Sequence, residues 1–140
     1  KLIVDNMDPG FSTLGGWYES TRPDTYQQSA KTAFNAEDKA TWIPSLTEPG
    51  TYDVYAWWSN TIGTLGLLTA SRDSTSWYEI THSGGVSIKP IDQNKDNGRW
   101  NYIGTFDFIA DGTAKVDLNH GRVSGVGISA DAIQFVKKAP

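Results

Sequence analysis

The run GTYDVYAWW at residues 50–58 constrains the fold of this chain more than any other segment. A Pro49-Gly50 turn launches it, and its β-branched and aromatic residues suit a pleated strand. Side chains alternate across a strand. Tyr52, Val54, Ala56 and Trp58 therefore share one face, and Asp53, Tyr55 and Trp57 share the other. Trp57 and Trp58 cannot both enter one core, so one of these two rings needs a reason other than core packing.

The rest of the chain follows the same grammar. No long segment holds a helical apolar period, and short alternating runs bounded by Gly, Pro, Asn and Asp recur throughout. The pattern predicts strands near 2–6, 40–44, 51–58, 77–82, 86–91, 99–109, 113–119 and 129–136. Gly84-Gly85 marks a hairpin, Asn97-Gly98 a reversal, and Asp111-Gly112 a tight turn between two strands. About eight strands in one domain spanning 1–140 predict an all-β, two-sheet antiparallel β-sandwich of jelly-roll type, with first and last strands adjacent. The polar stretch Glu19–Asp38 reads as a long loop, with or without a short helical turn, and Asn60–Ser76 as a second long connection.

Parity assigns further faces. Trp100, Tyr102, Phe106 and Phe108 share one, opposite Asn101, Thr105 and Asp107. Val116 and Leu118 point inward, with Lys115 and Asp117 outward. Asp131 falls on the core face of the last strand beside Ile133 and Phe135. A carboxylate there must be paired or hydrogen-bonded, either as a tie between the last and first strands or as a ligand for an ion.

Several chemistries lack their residues. The chain has no Cys, which removes disulfides, thiol nucleophiles and thiolate metal sites. His82 and His120 both fall at turns and read as surface residues, no Ser lies in a nucleophile elbow, and no phosphate-binding glycine loop occurs. A net charge of −4, with Lys137-Lys138 as the main basic cluster, argues against nucleic acid. No apolar run is long enough to span a membrane, and no export leader is visible. The expectation is a non-enzyme.

Asp92, Asn94 and Asp96 alternate as D-x-N-x-D before Asn97-Gly98, an oxygen-rich spacing that suits Ca²⁺. The glycine comes one place late for an EF-hand, and Ile103 stands where the bidentate Glu belongs. Asp, Asn and Gly also suit an ordinary turn, so a structural Ca²⁺ and a plain hairpin both remain open. Asp5, Asn6 and Asp8 form a second such cluster.

Six Trp and six Tyr are the compositional anomaly. Trp42, Trp58 and Trp100 fall on apolar faces and read as core. Trp17 follows Gly15-Gly16 at a loop end, Trp77 shares its face with Glu79 and Thr81, and Tyr55 and Trp57 share theirs with Asp53. A ring presented to solvent can stack on the C–H face of a pyranose while neighbouring polar groups bind its hydroxyls. Alternatively these rings cover the sheets beneath the two long loops.

The segments IVDNMDPGFSTLGGW at 3–17, ATWIPSL at 40–46, GTYDVYAWW at 50–58, GGVSIKPIDQ at 84–93, GRWNYIGTFDF at 98–108 and ADAIQF at 130–135 together resemble the golvesin C-terminal-like domains, which also occur appended to bacterial xanthan lyases. The resemblance runs in family order across nearly the whole chain. It implies a β-sandwich that accompanies enzymes acting on extracellular polysaccharide and carries no chemistry of its own. The chain departs from the family at Asn60–Ser76, where the resemblance implies a shorter connection bearing a basic residue.

The reading that follows is a non-catalytic carbohydrate-binding module of a secreted or cell-surface protein with an attached catalytic domain. Trp57, Tyr55, Trp77 and Trp17 would stack on sugar, with Arg72, Arg99 and Asp53 as polar partners. On an acidic polysaccharide such as xanthan, the arginines would pair with uronate or pyruvate groups. The alternative is a structural β-sandwich that self-associates or packs on a catalytic neighbour.

Overall fold

A computed structural model describes residues 1–62, 68–69, 72–121 and 126–139. The strands are β1 (Leu2–Asp5), β2 (Phe11–Leu14), β3 (Tyr18–Ser20), β4 (Ala30–Ala33), β5 (Lys39–Trp42), β6 (Gly50–Trp57) and β7 (Thr61–Ile62) in the first half. The second half holds β8 (Leu68–Thr69), β9 (Ser76–His82), β10 (Gly85–Ile91), β11 (Asn101–Phe108), β12 (Lys115–Asn119), β13 (Ile128–Ala130) and β14 (Ala132–Lys137). One sheet runs β1-β14-β6-β11 and the other β10-β9-β12-β5-β2, each fully antiparallel. Small ladders β13-β4-β3 and β7-β8 complete the set. The sandwich is as expected, and β1 does pair with β14, Leu2 opposite Phe135.

The strands outnumber the expected eight. Every expected region carries one, but β2, β3, β4, β7 and β8 are two to four residues long, too short for alternation to announce them. Glu19–Asp38 is accordingly not a plain loop: it holds the end of β3, a 3₁₀ turn at Tyr26–Gln28 and β4. Part of the Asn60–Ser76 connection lies outside the described residues. Gly84 stands in a two-residue hairpin loop between His82 and its partner Gly85. Asp111-Gly112 makes a turn as expected, yet carries the chain from β11 in one sheet to β12 in the other.

Between the sheets, Val54, Ala56 and Trp58 meet Trp42, Tyr78, Ile80, Val116 and Leu118, with Ile133, Phe135 and Phe108 alongside. Trp42 and Trp58 both contact Tyr78, ring centroids 6.2 and 6.3 Å away. Burial of each such side chain contributes on the order of 2 kcal/mol. This core fixes β6 and β11 back to front, so that whatever points away from it is displayed.

Four parity or exposure expectations fail for identifiable reasons. The register of β11 against β6 slips between Tyr102 and Gly104, a β-bulge that turns Tyr102 outward and Ile103 inward. Trp100 goes outward as well, half-buried rather than in the core. Asp117 is buried between its ladder neighbours Thr41 and Glu79, and accepts the Thr41 hydroxyl. His120 is buried too: Nδ1 lies 3.0 Å from Asp73 Oδ2, and Nε2 meets the Val126 carbonyl. Asp73 also accepts the Gly121 N–H at 2.6 Å, drawing this turn inward.

Asp131 interrupts the last predicted strand, dividing β13 from β14. Its Oδ2 accepts the Tyr26 N–H at 2.7 Å, and the carboxyl group of Asp5 of β1 is its close neighbour. Burial, with the charge of Asp5 added, pushes the Asp131 pKa up to about 9, and burial raises that of Asp5 as well. Two such groups hold a shared proton more cheaply than two charges. Burial thus favours the protonated form of both carboxyls where the last strand meets the first.

Candidate functional site

On the side of β6 and β11 facing away from the core, four successive cross-strand pairs form one strip. Trp57 lies against Trp100, ring centroids 5.4 Å apart and nearly perpendicular. Tyr55 pairs with Tyr102 at 5.7 Å, then Asp53 with Thr105, then Thr51 with Asp107. Tyr26 closes the aromatic end, 5.5 Å from Trp57 and 5.1 Å from Trp100. Edge-to-face packing of this kind holds the rings in place while leaving parts of their faces open. Tyr102 is 56% exposed.

The aromatic end is anchored from below. Trp57 Nε1 donates to the Asp24 carbonyl at 2.8 Å, and Asp24 Oδ2 accepts from the Asn60 N–H and the Asn97 amide, each at 2.7 Å. The Tyr26 N–H is held by Asp131. Among the described residues, the non-glycine residues with positive φ are Gln27, Gln28 and Asp96. Gln27 and Gln28 follow Tyr26, and Asp96 precedes Trp100 by four residues, so local backbone strain concentrates at this end. A groove of about 620 Å³ runs along Thr21, Arg22, Pro23, Thr25, Gln27 and Gln28.

The polar end is a hydrogen-bonded chain. Thr105 donates its hydroxyl to Asp53 Oδ1 at 2.5 Å, so the 2.6 Å contact from Tyr102 to Thr105 Oγ1 has the Tyr hydroxyl as donor. Thr51 likewise donates to Asp107 Oδ1 at 2.5 Å.

The residues singled out from sequence divide among several places. Tyr55, Trp57 and Asp53 share the strip. Arg99 flanks it, exposed and paired with Asp96. Trp77 lies on the outer side of the other sheet, opposite Pro90, with Nε1 donating to Glu79 Oε1 at 3.1 Å. Trp17 donates Nε1 to the Leu14 carbonyl and packs against the edge of the core. Arg72 is only 3% exposed: Nε donates to the Ser59 carbonyl, and burial lowers its pKa to about 10. It stands inside the protein.

The D-x-N-x-D oxygens have other partners. Asp92 Oδ1 accepts from the Asn94 backbone and amide, Asn94 bridges the Arg72 N–H and carbonyl, and Asp96 engages Arg99. Among the described residues, no group of three or more His, Asp or Glu is arranged to hold a metal ion. Asp8 Oδ2 accepts the Asp5 N–H, which makes the second cluster a feature of the turn after β1.

Sequence reasoning did not single out Tyr102, Trp100, Tyr26, Thr51, Thr105 and Asp107 for this candidate site. A signal for Tyr102 existed: Gly104 inside a strand pattern marks a bulge. Gly104 has φ of 149°, and a side chain there would meet the Phe106 ring at 2.5 Å. Tyr26 carried no comparable signal, because its place depends on a loop returning from another sheet.

The family model of the Golvesin C-terminal domain matches residues 2–137. The chain belongs to this family. It is 28% identical over 143 residues to a xanthan lyase of Bacillus sp. (strain GL1), an alignment covering 97% of this chain and 14% of the lyase. The chain thus spans about one-seventh of that relative's length. The Paenibacillus xanthan lyase structure superposes with a TM-score of 0.86 at 27% identity, over 99% of this chain and 13% of the lyase. The family 35 carbohydrate binding module from Clostridium thermocellum superposes at TM-score 0.61 and 12% identity, covering 96% of this chain and 97% of the module. The Golvesin C-terminal fold of this chain is therefore a β-sandwich like that of a carbohydrate-binding module.

Proposed function

We propose that this Golvesin C-terminal domain is a non-catalytic carbohydrate-binding domain that takes an extracellular polysaccharide on the outer strip of β6 and β11. The observation that carries the reading is the row of rings on two successive pairs, Trp57–Trp100 and Tyr55–Tyr102, beside hydroxyl and carboxylate groups. An open ring face covers the apolar side of a pyranose, and the adjacent acceptors receive its hydroxyl protons. The long, shallow strip suits a chain interior more than a small enclosed ligand. Correspondence to a small part of xanthan lyase, and a fold shared with a carbohydrate binding module, support the assignment. The attached partner would be a polysaccharide-degrading catalytic domain.

Affinity electrophoresis through gels containing single polysaccharides tests this. Retarded migration that is lost in Tyr102→Ala and kept in Trp77→Ala is the expected result. Loss in Trp77→Ala alone would move the site to the opposite sheet.

A second reading, self-association, rests on a different surface. Val86 and Ile88 of β10 are 60% and 63% exposed on the outer side of the five-stranded sheet, in line with Pro90 next to Trp77. A concentration-dependent dimer abolished by Ile88→Lys would support it.

A further inference from the structure

The outer strip of β6 and β11 is chemically divided along its length. Its first two pairs are aromatic, and its last two are Asp–Thr pairs with the order reversed between the strands: Asp53 with Thr105, Thr51 with Asp107. In both, the Thr hydroxyl proton is already committed to a carboxylate oxygen. Tyr102 in turn gives its proton to Thr105. What these side chains leave open is therefore lone pairs: the second oxygen of Asp53, the second oxygen of Asp107 and the Tyr102 oxygen. An ionised carboxylate has no hydrogen to give. This end of the strip accepts hydrogen bonds and offers none from these groups.

We infer that this face selects neutral polysaccharide over anionic polysaccharide, and that Asp53 is the residue that sets the choice. The inference rests on the glycan-binding reading above and narrows its ligand class. A neutral sugar brings hydroxyl donors to the waiting acceptors. A uronate or pyruvate group brings a second acceptor-only anion to a surface that already holds two, and pays like-charge repulsion without a hydrogen bond in return.

Two of the nearby cations are already engaged. Arg99 at the aromatic end is engaged by Asp96, and Lys137 by Glu48. Lys138 stands beyond the end of β14, where its N–H meets the Thr51 carbonyl. It adjoins the Thr51–Asp107 pair, two pairs away from the Tyr55–Tyr102 rings. Arg72, the other cation that sequence proposed for an acidic ligand, is buried. Asp53 is the carboxylate next to the rings, so it meets whatever substituent a stacked sugar carries.

The test uses matched polymers, hydroxyethylcellulose against carboxymethylcellulose and galactan against polygalacturonate, with xanthan added. Affinity electrophoresis and calorimetry are run at low salt and again near 1 M, where the screening length falls to about 3 Å. The wild-type domain is expected to bind the neutral member of a pair at least tenfold more tightly at low salt, with the ratio narrowing at high salt. Asp53→Asn, whose amide oxygen still accepts from Thr105, should narrow the low-salt ratio severalfold, and Asp53→Asn with Asp107→Asn further. Near-ultraviolet circular dichroism confirms that each variant keeps its aromatic packing. Equal or tighter binding of the anionic member, weakened by salt, would overturn the neutral selectivity and leave the glycan-binding reading standing. An unchanged ratio in Asp53→Asn overturns the role of Asp53. Failure of the folded wild type to bind any of the five polymers overturns the selectivity and the glycan-binding reading together.

Discussion

The outer faces of the two sheets start from similar material and end differently. Each carries a tryptophan on a strand with alternating pattern, Trp57 on β6 and Trp77 on β9, and each has an acid two or four residues away, Glu79 and Asp53. On the four-stranded sheet the neighbouring strand answers with more rings, and Tyr26 arrives from a loop to join them. On the five-stranded sheet Trp77 faces Asn119 on one side and Pro90 on the other, and its ring nitrogen is tied to Glu79. One tryptophan becomes part of a platform and the other covers its own sheet. The difference is made by the partner strands, above all by the bulge at Gly104, and not by the tryptophans.

The sharpest way to break this comparison is to remove one ring from each face. Tyr102→Ala deletes a largely exposed side chain, so the fold should persist while a stacked sugar loses about 1.5–3 kcal/mol of apolar burial, roughly tenfold to a hundredfold in affinity. Trp77→Ala should change affinity less than twofold. Calorimetry with whichever polysaccharide retards the wild type in gels reads both. A large loss in Trp77→Ala would reverse the roles assigned to the two faces.

The bulge itself comes next. Gly104→Ala places a methyl group at positive φ and against the Phe106 ring, and is expected to cost about 1–3 kcal/mol in urea unfolding. Because the strain is relieved by losing the bulge, glycan affinity should fall with it. Gly85→Ala, on the other sheet, also has positive φ but meets nothing within 4 Å. It should cost less, about 1 kcal/mol, and leave affinity alone.

A smaller effect distinguishes the anchoring of the aromatic end. Asp131 holds the Tyr26 N–H and has its pKa raised from 3.8 to about 9, chiefly by burial. The folded state therefore binds a proton that the unfolded chain has released. The stabilisation is complete below about pH 4 and declines as pH rises towards 9. Asp131→Asn keeps an acceptor for Tyr26 and removes the titrating group, so its melting temperature should vary less between pH 5 and 9 than that of the wild type. Steeper alkaline loss in the variant would mean that Asp131 works as an anion. The smallest change is expected from Val86→Lys, an exposed substitution on the five-stranded sheet, within about 0.5 kcal/mol in stability and without effect on glycan affinity.

The sequence by itself determined the sandwich, the placement of Trp57 outside and Trp58 inside, the Gly84 hairpin and the need for Asp131 to find a partner. These follow from local rules: alternation in an unbroken strand, turn chemistry, and the cost of a buried carboxylate. Three residues of the strip, Asp53, Tyr55 and Trp57, were legible for the same reason. The rest belonged to the tertiary structure. Parity counted through Gly104 assigned Tyr102 to the core, because a single inserted residue exchanges the two faces of everything on one side of it. Tyr26 reached Trp57 and Trp100 across more than thirty and more than seventy positions of sequence, Arg72 found Ser59 and Asn94, and His120 found Asp73. Alternation says which way a side chain points from its own strand. Only the packing of the strands against one another says what it meets there.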